Sequence, residues 1–304
     1  MIVNDSHCHF FSTRFFATLG HDLTDAGPAA AARLALDLTG WDDPQSPVQL
    51  ADRWVAELDR QGVSSAALIA SVPGDTESVA DAVRRHPTRF CGFFMVDPTL
   101  PETHLEAAAA LDEDGLRTMC LFPAMHRYSL HEDRVRLLFE MAAARPGVAI
   151  FVHCGVLSVG VRKKLGLPSR FDLRFSNPLD LHGLALAHPS VPIIIPHFGA
   201  GFLREALMLA DLCPNILFDT SSSNGWVRYV PGLTLDAVFR QALAVLGPDR
   251  LLFGTDSSYF PRGWVKDVYE QQSATLGRLG VEASVAAKIF GGNFDRVFRS
   301  TRSA

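Results

Sequence analysis

The sequence predicts an α/β protein folded as a (β/α)8 TIM barrel with a helical insert after its first strand. Three observations lead there. Eight short β-type runs alternate with longer helix-type runs along 304 residues. Several short runs are almost wholly apolar, such as Val-Ala-Ile-Phe-Val at 148–152 and Ile-Ile-Ile at 193–195. Strands covered on both faces in a parallel sheet have this composition. A doubly wound sheet, the alternative, usually carries a glycine-rich loop after its first strand, and none follows residue 7.

Taken in order, the first strand is expected at 2–7. The long connection over 10–60 holds helices near 28–38 and 47–61. An insert on the strand-to-helix side lies over the catalytic face of a barrel, so this one is a candidate cap. Strands follow at 65–70, 90–96, 117–122, 148–153, 192–197, 215–220 and 250–255. Between them, 101–113 is Ala-rich after Pro101, and 131–145 repeats Val135, Leu138, Phe139 and Ala142 at helical spacing. The stretch 178–188 opens at a proline, 201–212 follows a glycine-rich turn, and 234–247 stops at Gly247-Pro248. Residues 281–299 read as helices closing the outside of the barrel. The alternation covers the chain, so 1–304 is expected to be one domain.

Composition narrows the function. Net charge is -5 with no block of like charge, so neither nucleic acid nor a membrane surface is an expected partner. No apolar run reaches the length of a membrane span. Five cysteines (Cys8, Cys91, Cys120, Cys154 and Cys213) form no Cys-x-x-Cys pair, which suits free buried thiols in a reducing compartment. The chain enters a strand at once, without a leader-like segment. The expectation is a soluble cytoplasmic protein with a small-molecule substrate; a homodimer is the one assembly considered.

The chemistry is concentrated at the ends of the strand-like runs. His7 and His9 stand two apart in Asp-Ser-His-Cys-His-Phe, so both imidazoles face one side of a strand. His153 ends the fifth run, His197 the sixth, and Asp256 the eighth. In a parallel barrel all strand C-termini open on one face, so these residues converge although far apart in sequence. Singly, each has an ordinary structural explanation: a satisfied core histidine, or an aspartate capping the next helix. Five at the same end of four apolar strands point instead to a site for Zn²⁺ or a similar divalent ion.

These motifs resemble the amidohydrolase superfamily and, more closely, its amidohydrolase-2 branch of aromatic-acid and aminocarboxymuconate-semialdehyde decarboxylases and pyrone-dicarboxylate lactonases. The resembling segments are Asp-Ser-His-Cys-His-Phe, His153-Cys-Gly, His197-Phe-Gly-Ala-Gly-Phe, Asn-Ile-Leu-Phe-Asp-Thr-Ser at 215–221, Leu-Phe-Gly-Thr-Asp-Ser at 252–257 and the tail Lys-Ile-Phe-Gly-Gly-Asn-Phe-Asp-Arg-Val-Phe. The resemblance implies His7, His9, His153 and Asp256 as metal ligands, with Asp256 and His197 as catalytic side chains. Superfamily members with two metals carry a lysine at the end of strand 4. Here that strand runs Leu-Arg-Thr-Met-Cys-Leu-Phe-Pro, so one ion is expected, zinc foremost.

Residues just beyond strand ends are candidates for substrate contact: His126 after strand 4, Asn224 after strand 7 and Arg262 after strand 8. An arginine there would suit a carboxylate through bidentate pairing. Phe10, Phe11, Phe15 and Phe16 would line an aromatic pocket or pack the cap onto the barrel. The expected activity is hydrolysis of a small amide, lactone or similar carboxylated substrate by metal-activated water. The alternative is a metal-dependent non-oxidative decarboxylase of an aromatic or unsaturated acid, which needs the same five residues. A barrel that binds a small ligand without catalysis is a third reading, and a nucleotide-dependent enzyme lacks any phosphate-cradling loop.

Overall fold

The computed structural model describes residues 1–157 and 159–299. Eight parallel strands pair in sequence order: β1 (Asn4–Phe10), β2 (Ser65–Ala70), β3 (Phe90–Val96), β4 (Thr118–Leu121), β5 (Ala149–Val152), β6 (Ile193–Ile195), β7 (Ile216–Asp219) and β8 (Leu251–Leu252). Helices such as Thr76–Arg85, Asp133–Ala143 and Leu235–Leu246 fill the connections. The architecture is the (β/α)8 TIM barrel that the alternation predicts.

Burial shows how the strands sort their side chains. Ile69, Phe93, Met95, Cys120, Phe151, Ile194, Leu217 and Leu252 belong to one apolar cluster, the barrel interior. Their sequence neighbours Leu68, Phe94, Leu121, Ile150, Ile193 and Phe218 belong to a larger one under the helices. Alternation along each strand produces the two layers. The same parity carries His153 inward beyond Phe151, and Asp219 inward beyond Leu217.

β1 departs from simple alternation. Asp5 pairs with Ala66 and Cys8 with Leu68, so three residues of β1 match two of β2. This bulge lets Asp5 and Cys8 both face the helix layer while His7 and His9 face the interior. β8 is only two residues long, against an expected 250–255, so regular pairing does not finish the cylinder. Main-chain bonds do: Ser6 N to Phe253 O at 2.8 Å, Asp256 N to His7 O at 2.9 Å and His9 N to Ser257 O at 2.7 Å.

Asp5 locks this seam. One carboxylate oxygen accepts from His7 N at 2.9 Å and Thr255 N at 3.1 Å. The other accepts from Thr255 Oγ1 at 2.5 Å and Trp264 Nε1 at 2.6 Å. Burial pushes the Asp5 pKa up, and the hydrogen bonds from Thr255, His7 and Trp264 work the other way.

The connection after β1 divides into two parts. α1 (Thr13–Gly20) and α2 (Pro28–Thr39) pack on each other, with Phe16, Leu19, Ala35 and Leu36 in a separate apolar cluster. α3 (Pro47–Gln61) instead buries Leu50, Trp54 and Leu58 in the main helix layer, as a barrel helix does. α1 carries no strong signal in the sequence beyond its phenylalanines and the Ser12 cap that accepts from Phe15 N. Two further boundaries differ from expectation. The first strand begins at Asn4 rather than residue 2, and Ile2 is 61% exposed. The final helix, Asn293–Phe298, joins Phe294, Val297 and Phe298 to the interior cluster, so it plugs one end of the barrel instead of only covering its outside. No described helix is long and apolar enough to cross a membrane.

Replacing Asp5 with Ala strips partners from the buried Thr255 hydroxyl and Trp264 indole. The expected loss is about 3 kcal/mol of stability in urea unfolding. A change below about 0.5 kcal/mol would show that the seam holds without this carboxylate.

Candidate metal centre

His7, His9 and Asp256 converge at the β1–β8 seam, above the interior layer. His7 Nε2 and His9 Nε2 are 3.3 Å apart. Asp256 Oδ1 lies 3.6 Å from the first and 3.2 Å from the second. A tetrahedral zinc site with N and O ligands at about 2.0–2.1 Å has ligand–ligand edges of roughly 3.3 Å. The three atoms therefore already stand at the separations that one shared ion requires.

Groups behind the ring nitrogens set the tautomers. His7 Nδ1 is 2.5 Å from Asp219 Oδ2, so it carries the proton and donates it. Ser71 gives its hydroxyl proton to Ile69 O at 2.9 Å, so its oxygen accepts from His9 Nδ1 at 2.8 Å. His197 Nδ1 faces the Ser221 carbonyl at 3.2 Å and the Ser221 hydroxyl at 2.9 Å, and a carbonyl only accepts. Each of the three imidazoles thus keeps its proton on Nδ1 and a free lone pair on Nε2. The Ser221 hydroxyl also donates to Asp219 Oδ2 at 3.0 Å, joining the supports of His7 and His197.

His153 and His197 stand beside this trio. The His197 ring stacks on His7 with centroids 5.1 Å apart, and the His153 ring meets His197 edge-on at 5.3 Å. His153 is 4% exposed, and its buried Nδ1 has no hydrogen-bond partner. Such an orphan is costly unless a ligand takes it up. The donor set of three neutral imidazoles and one carboxylate suits Zn²⁺ or another divalent ion. The residues present fit the group.

Electrostatics keep most of that donor set deprotonated, with His7 the exception. Burial lowers the proton affinity of His9, and burial with neighbouring His197 takes His153 well below the ordinary histidine value. Burial also lowers His197. At His7 burial works in the same direction, but the charge and hydrogen bond of Asp219 outweigh it and the pKa rises. Burial opposes the charge on Asp256, yet the imidazoles of His9, His7 and His197 around it hold its carboxyl below the usual range.

The backbone at the ends of β6 and β8 is bent to aim these groups. Asp256 has φ 62°, His197 φ 56° and Phe198 φ 53°, all in the left-handed region. Such conformations cost about 1 kcal/mol or more each and cluster at sites whose geometry matters. Gly254 is required for space. A Cβ there would sit 2.7 Å from Asp219 Oδ1 and 2.9 Å from His7 Cβ.

The centre forms the floor of a cavity of about 1000 Å³. Its roof joins the cap to the loop after β5, since Val161 packs in the same cluster as Phe16 and Leu36. Asp22 ties the halves together through Arg162 at 2.5 Å and Arg170 at 2.8 Å. One wall is aromatic: Phe11 stacks on Phe15 at 3.7 Å, and Trp41 on Tyr259 at 3.6 Å. Phe10 and Phe16 are buried in packing instead. Arg262 and His126 line the cavity. Arg262 bonds to Ser258 Oγ at 2.8 Å and stacks on Tyr259 at 4.6 Å. Asn224 is 5% exposed, and its amide is engaged in its own turn, with Ser222 O at 3.2 Å and Trp226 Nε1 at 3.2 Å. Its neighbours Ser223 and Gly225 line the cavity in its place.

Sequence reasoning missed the supports: Asp219, Ser71, Ser221 and Gly254. Asp219 had a readable signal, because it ends the apolar run Ile-Leu-Phe-Asp as His153 ends its own. Ser221 and Gly254 fall in segments that carry the family resemblance but give no sign of their role, and Ser71 had no signal.

A family model described as "Amidohydrolase" matches residues 5–300. The chain is similar to protein fluG of Emericella nidulans, 32% identical over 93 residues; the match takes in 30% of this chain and 10% of that protein. Among solved structures, it resembles a 5-carboxyvanillate decarboxylase of Novosphingobium aromaticivorans with bound manganese and 3-methoxy-4-hydroxy-5-nitrobenzoic acid. The TM-score is 0.64 at 17% identity, over 98% of this chain and 97% of that one. It also resembles a probable 2-pyrone-4,6-dicarboxylic acid hydrolase of Acinetobacter baumannii with citric acid bound, with TM-score 0.61 and 14% identity over 98% and 99% of the two chains.

Asp219→Asn keeps the shape of its site but weakens the pull on His7 Nδ1–H. Zinc affinity in equilibrium dialysis is expected to fall roughly 10–100-fold with the circular dichroism unchanged. Gly254→Ala, which pushes both partners, should fall at least as far. Unaltered affinity in both would mean that the His7–Asp219 pair has no part in holding an ion.

Proposed function

This chain belongs to the amidohydrolase family, and on that premise we propose that it is a metal-dependent hydrolase of a small carboxylated organic substrate, an amide, lactone or similar cyclic compound. In this reading His7, His9, His153 and Asp256 hold one divalent ion, zinc foremost. The observation that carries it is the triangle of His7 Nε2, His9 Nε2 and Asp256 Oδ1 at 3.2–3.6 Å, with His153, whose Nδ1 is orphaned, lining the same cavity. When bound, the ion supplies Lewis acidity and a water whose pKa falls from about 15.7 to near 7. Asp256, ionised and 37% exposed at the cavity floor, would accept the proton of an attacking water and pass it to the leaving group. His197 stands beside the reacting group and, once protonated on Nε2, would donate to the oxyanion that develops there.

Charge in the cavity supports a carboxylated substrate. Arg162, Lys164, Arg170, Arg228 and Arg262 line it, against the carboxylates of Asp22 and Asp256, so five cations face two anions in a chain of net charge -5. Such a pocket draws anions from solution. Arg228 and Arg262 have no carboxylate partner among the described residues, and we assign Arg262 to the substrate's carboxylate. His126 would contact the substrate from the opposite wall. Asn224, held in its own turn, would act only through the loop that carries Trp226.

A second reading is a non-oxidative decarboxylase. The stacked Phe11–Phe15 and Trp41–Tyr259 pairs favour a flat, unsaturated acid, and one structural relative is a decarboxylase with manganese bound. Asp256 or His197, having first taken up a proton from water in the cavity, would then hand it to the carbon that loses CO₂. Five buried free cysteines suit a reducing cytoplasm in either case.

Elemental analysis of the purified protein is expected to return about one transition-metal equivalent per chain; metal-free protein that stays active would sink both readings. A panel of lactones and amides, run beside aromatic acids with CO₂ detection, separates the two. On whichever substrate turns over, Asp256→Asn should lower turnover roughly 10²–10⁴-fold while retaining part of the metal. Arg262→Gln should raise KM for the carboxylated substrate about tenfold to a hundredfold, and leave an uncharged analogue unaffected.

A further inference from the structure

We propose that Asp97 is a positioning residue for His126, and that the two form a second proton-handling pair on the cavity wall across the barrel from Asp256. Asp97 follows directly on β3, whose Cys91, Phe93 and Met95 face the interior, and alternation carries it to the same side. His126 ends the helical turn Pro123–His126 that follows β4. In the eight-stranded order β4 lies diametrically opposite β8, which Asp256 follows. The pair therefore addresses a bound molecule from the side that the metal centre leaves open.

The local geometry is that of an imidazole backed by a carboxylate. His126 lines the cavity, while its Nδ1 is buried without a hydrogen-bond partner and lies 3.9 Å from Asp97 Oδ1. Thr99 N holds that same oxygen at 2.9 Å, so the carboxylate is fixed in place. No lysine or arginine pairs with Asp97 among the described residues. The other charged groups near the turn are engaged elsewhere. Arg127 bonds to Arg170 O at 2.9 Å, and Asp172 on the segment packed against the turn pairs with Arg174 at 2.6 Å. Tyr128 stacks beside the ring at 6.4 Å and carries no charge. Asp97 is thus the acceptor left for Nδ1–H, which leaves the lone pair of Nε2 to the cavity.

Burial lowers the proton affinity of His126 and Asp97 raises it in part, so the ring rests neutral and ready to accept. A proton leaving a substrate hydroxyl, an amide nitrogen or a water lands on Nε2, and the electron pair stays on the oxygen or nitrogen it left. The imidazolium that forms is balanced by Asp97 and returns the proton when the ring is neutralised. The inference rests on the cavity being the substrate chamber, and not on the identity of the reaction or the ion.

Histidine-selective ¹⁵N labelling of the full chain, with and without added zinc, reads the protonated nitrogen directly, and His126→Gln identifies the signal. Protonated Nδ1 and bare Nε2 are expected at neutral pH. Asp97→Asn should move the population toward Nε2–H and lower the proton affinity about tenfold, whereas Asp97→Glu should keep both close to wild type. Nε2–H in the wild-type spectrum overturns the proposal, and so does a folded Asp97→Asn chain with unchanged tautomer and affinity. Should Asp97→Asn fail to fold, the wild-type spectrum still decides. Zinc stoichiometry on the same samples fails or holds independently, so a wrong metal assignment is told apart from a wrong pairing.

Discussion

The seam between β1 and the chain after β8 is the constraint on which the rest depends. The same few residues close the barrel and build the candidate metal centre. The bulge in β1 turns Asp5 outward to bind Thr255 and Trp264, and turns His7 and His9 inward. The main-chain bond from Asp256 N to His7 O then fixes the carboxylate beside the imidazoles. A barrel that opened here would lose the ligands' geometry before it lost its core. Convergence at strand ends explains why a barrel can hold such a site at all; the seam explains why this one needs no long eighth strand.

Around the centre, most hydrogen-bond donors and acceptors point toward one protonation pattern. Asp219, Ser71 and Ser221 each hold an Nδ1 proton, so the Nε2 lone pairs are free together. Burial disfavours the charged forms of His9, His153 and His197, and Asp256 stays ionised among them. The backbone strain at His197 and Asp256 falls at the same place, where geometry is held at a cost in stability.

Beyond the floor of the cavity the chain has chosen aromatic faces and positive charge. The cap contributes Phe11, Phe15 and Trp41, and the loops contribute the arginines. Hydrolysis and decarboxylation place the same demands on the metal ligands, so these walls, and not the ligands, distinguish the two chemistries. The roof is held by Asp22 between two arginines, which makes it the part of the molecule an anionic substrate would disturb first.

By itself the sequence determined the barrel, the order of its strands and the converging residues. Period-two burial and apolar runs are local properties, and His7, His9, His153, His197 and Asp256 each end such a run. It could not place α1, the two-residue β8 or the inward turn of the last helix, because packing against distant parts of the chain decides them. Nor could it distinguish Asn224, engaged in its own turn, from Arg262, which lines the cavity; both are polar residues after a strand. The partners of the imidazoles were likewise hidden. Ser71 and Asp97 come near His9 and His126 through pairing of neighbouring strands, and closure of the cylinder brings Asp219 of β7 to His7 of β1.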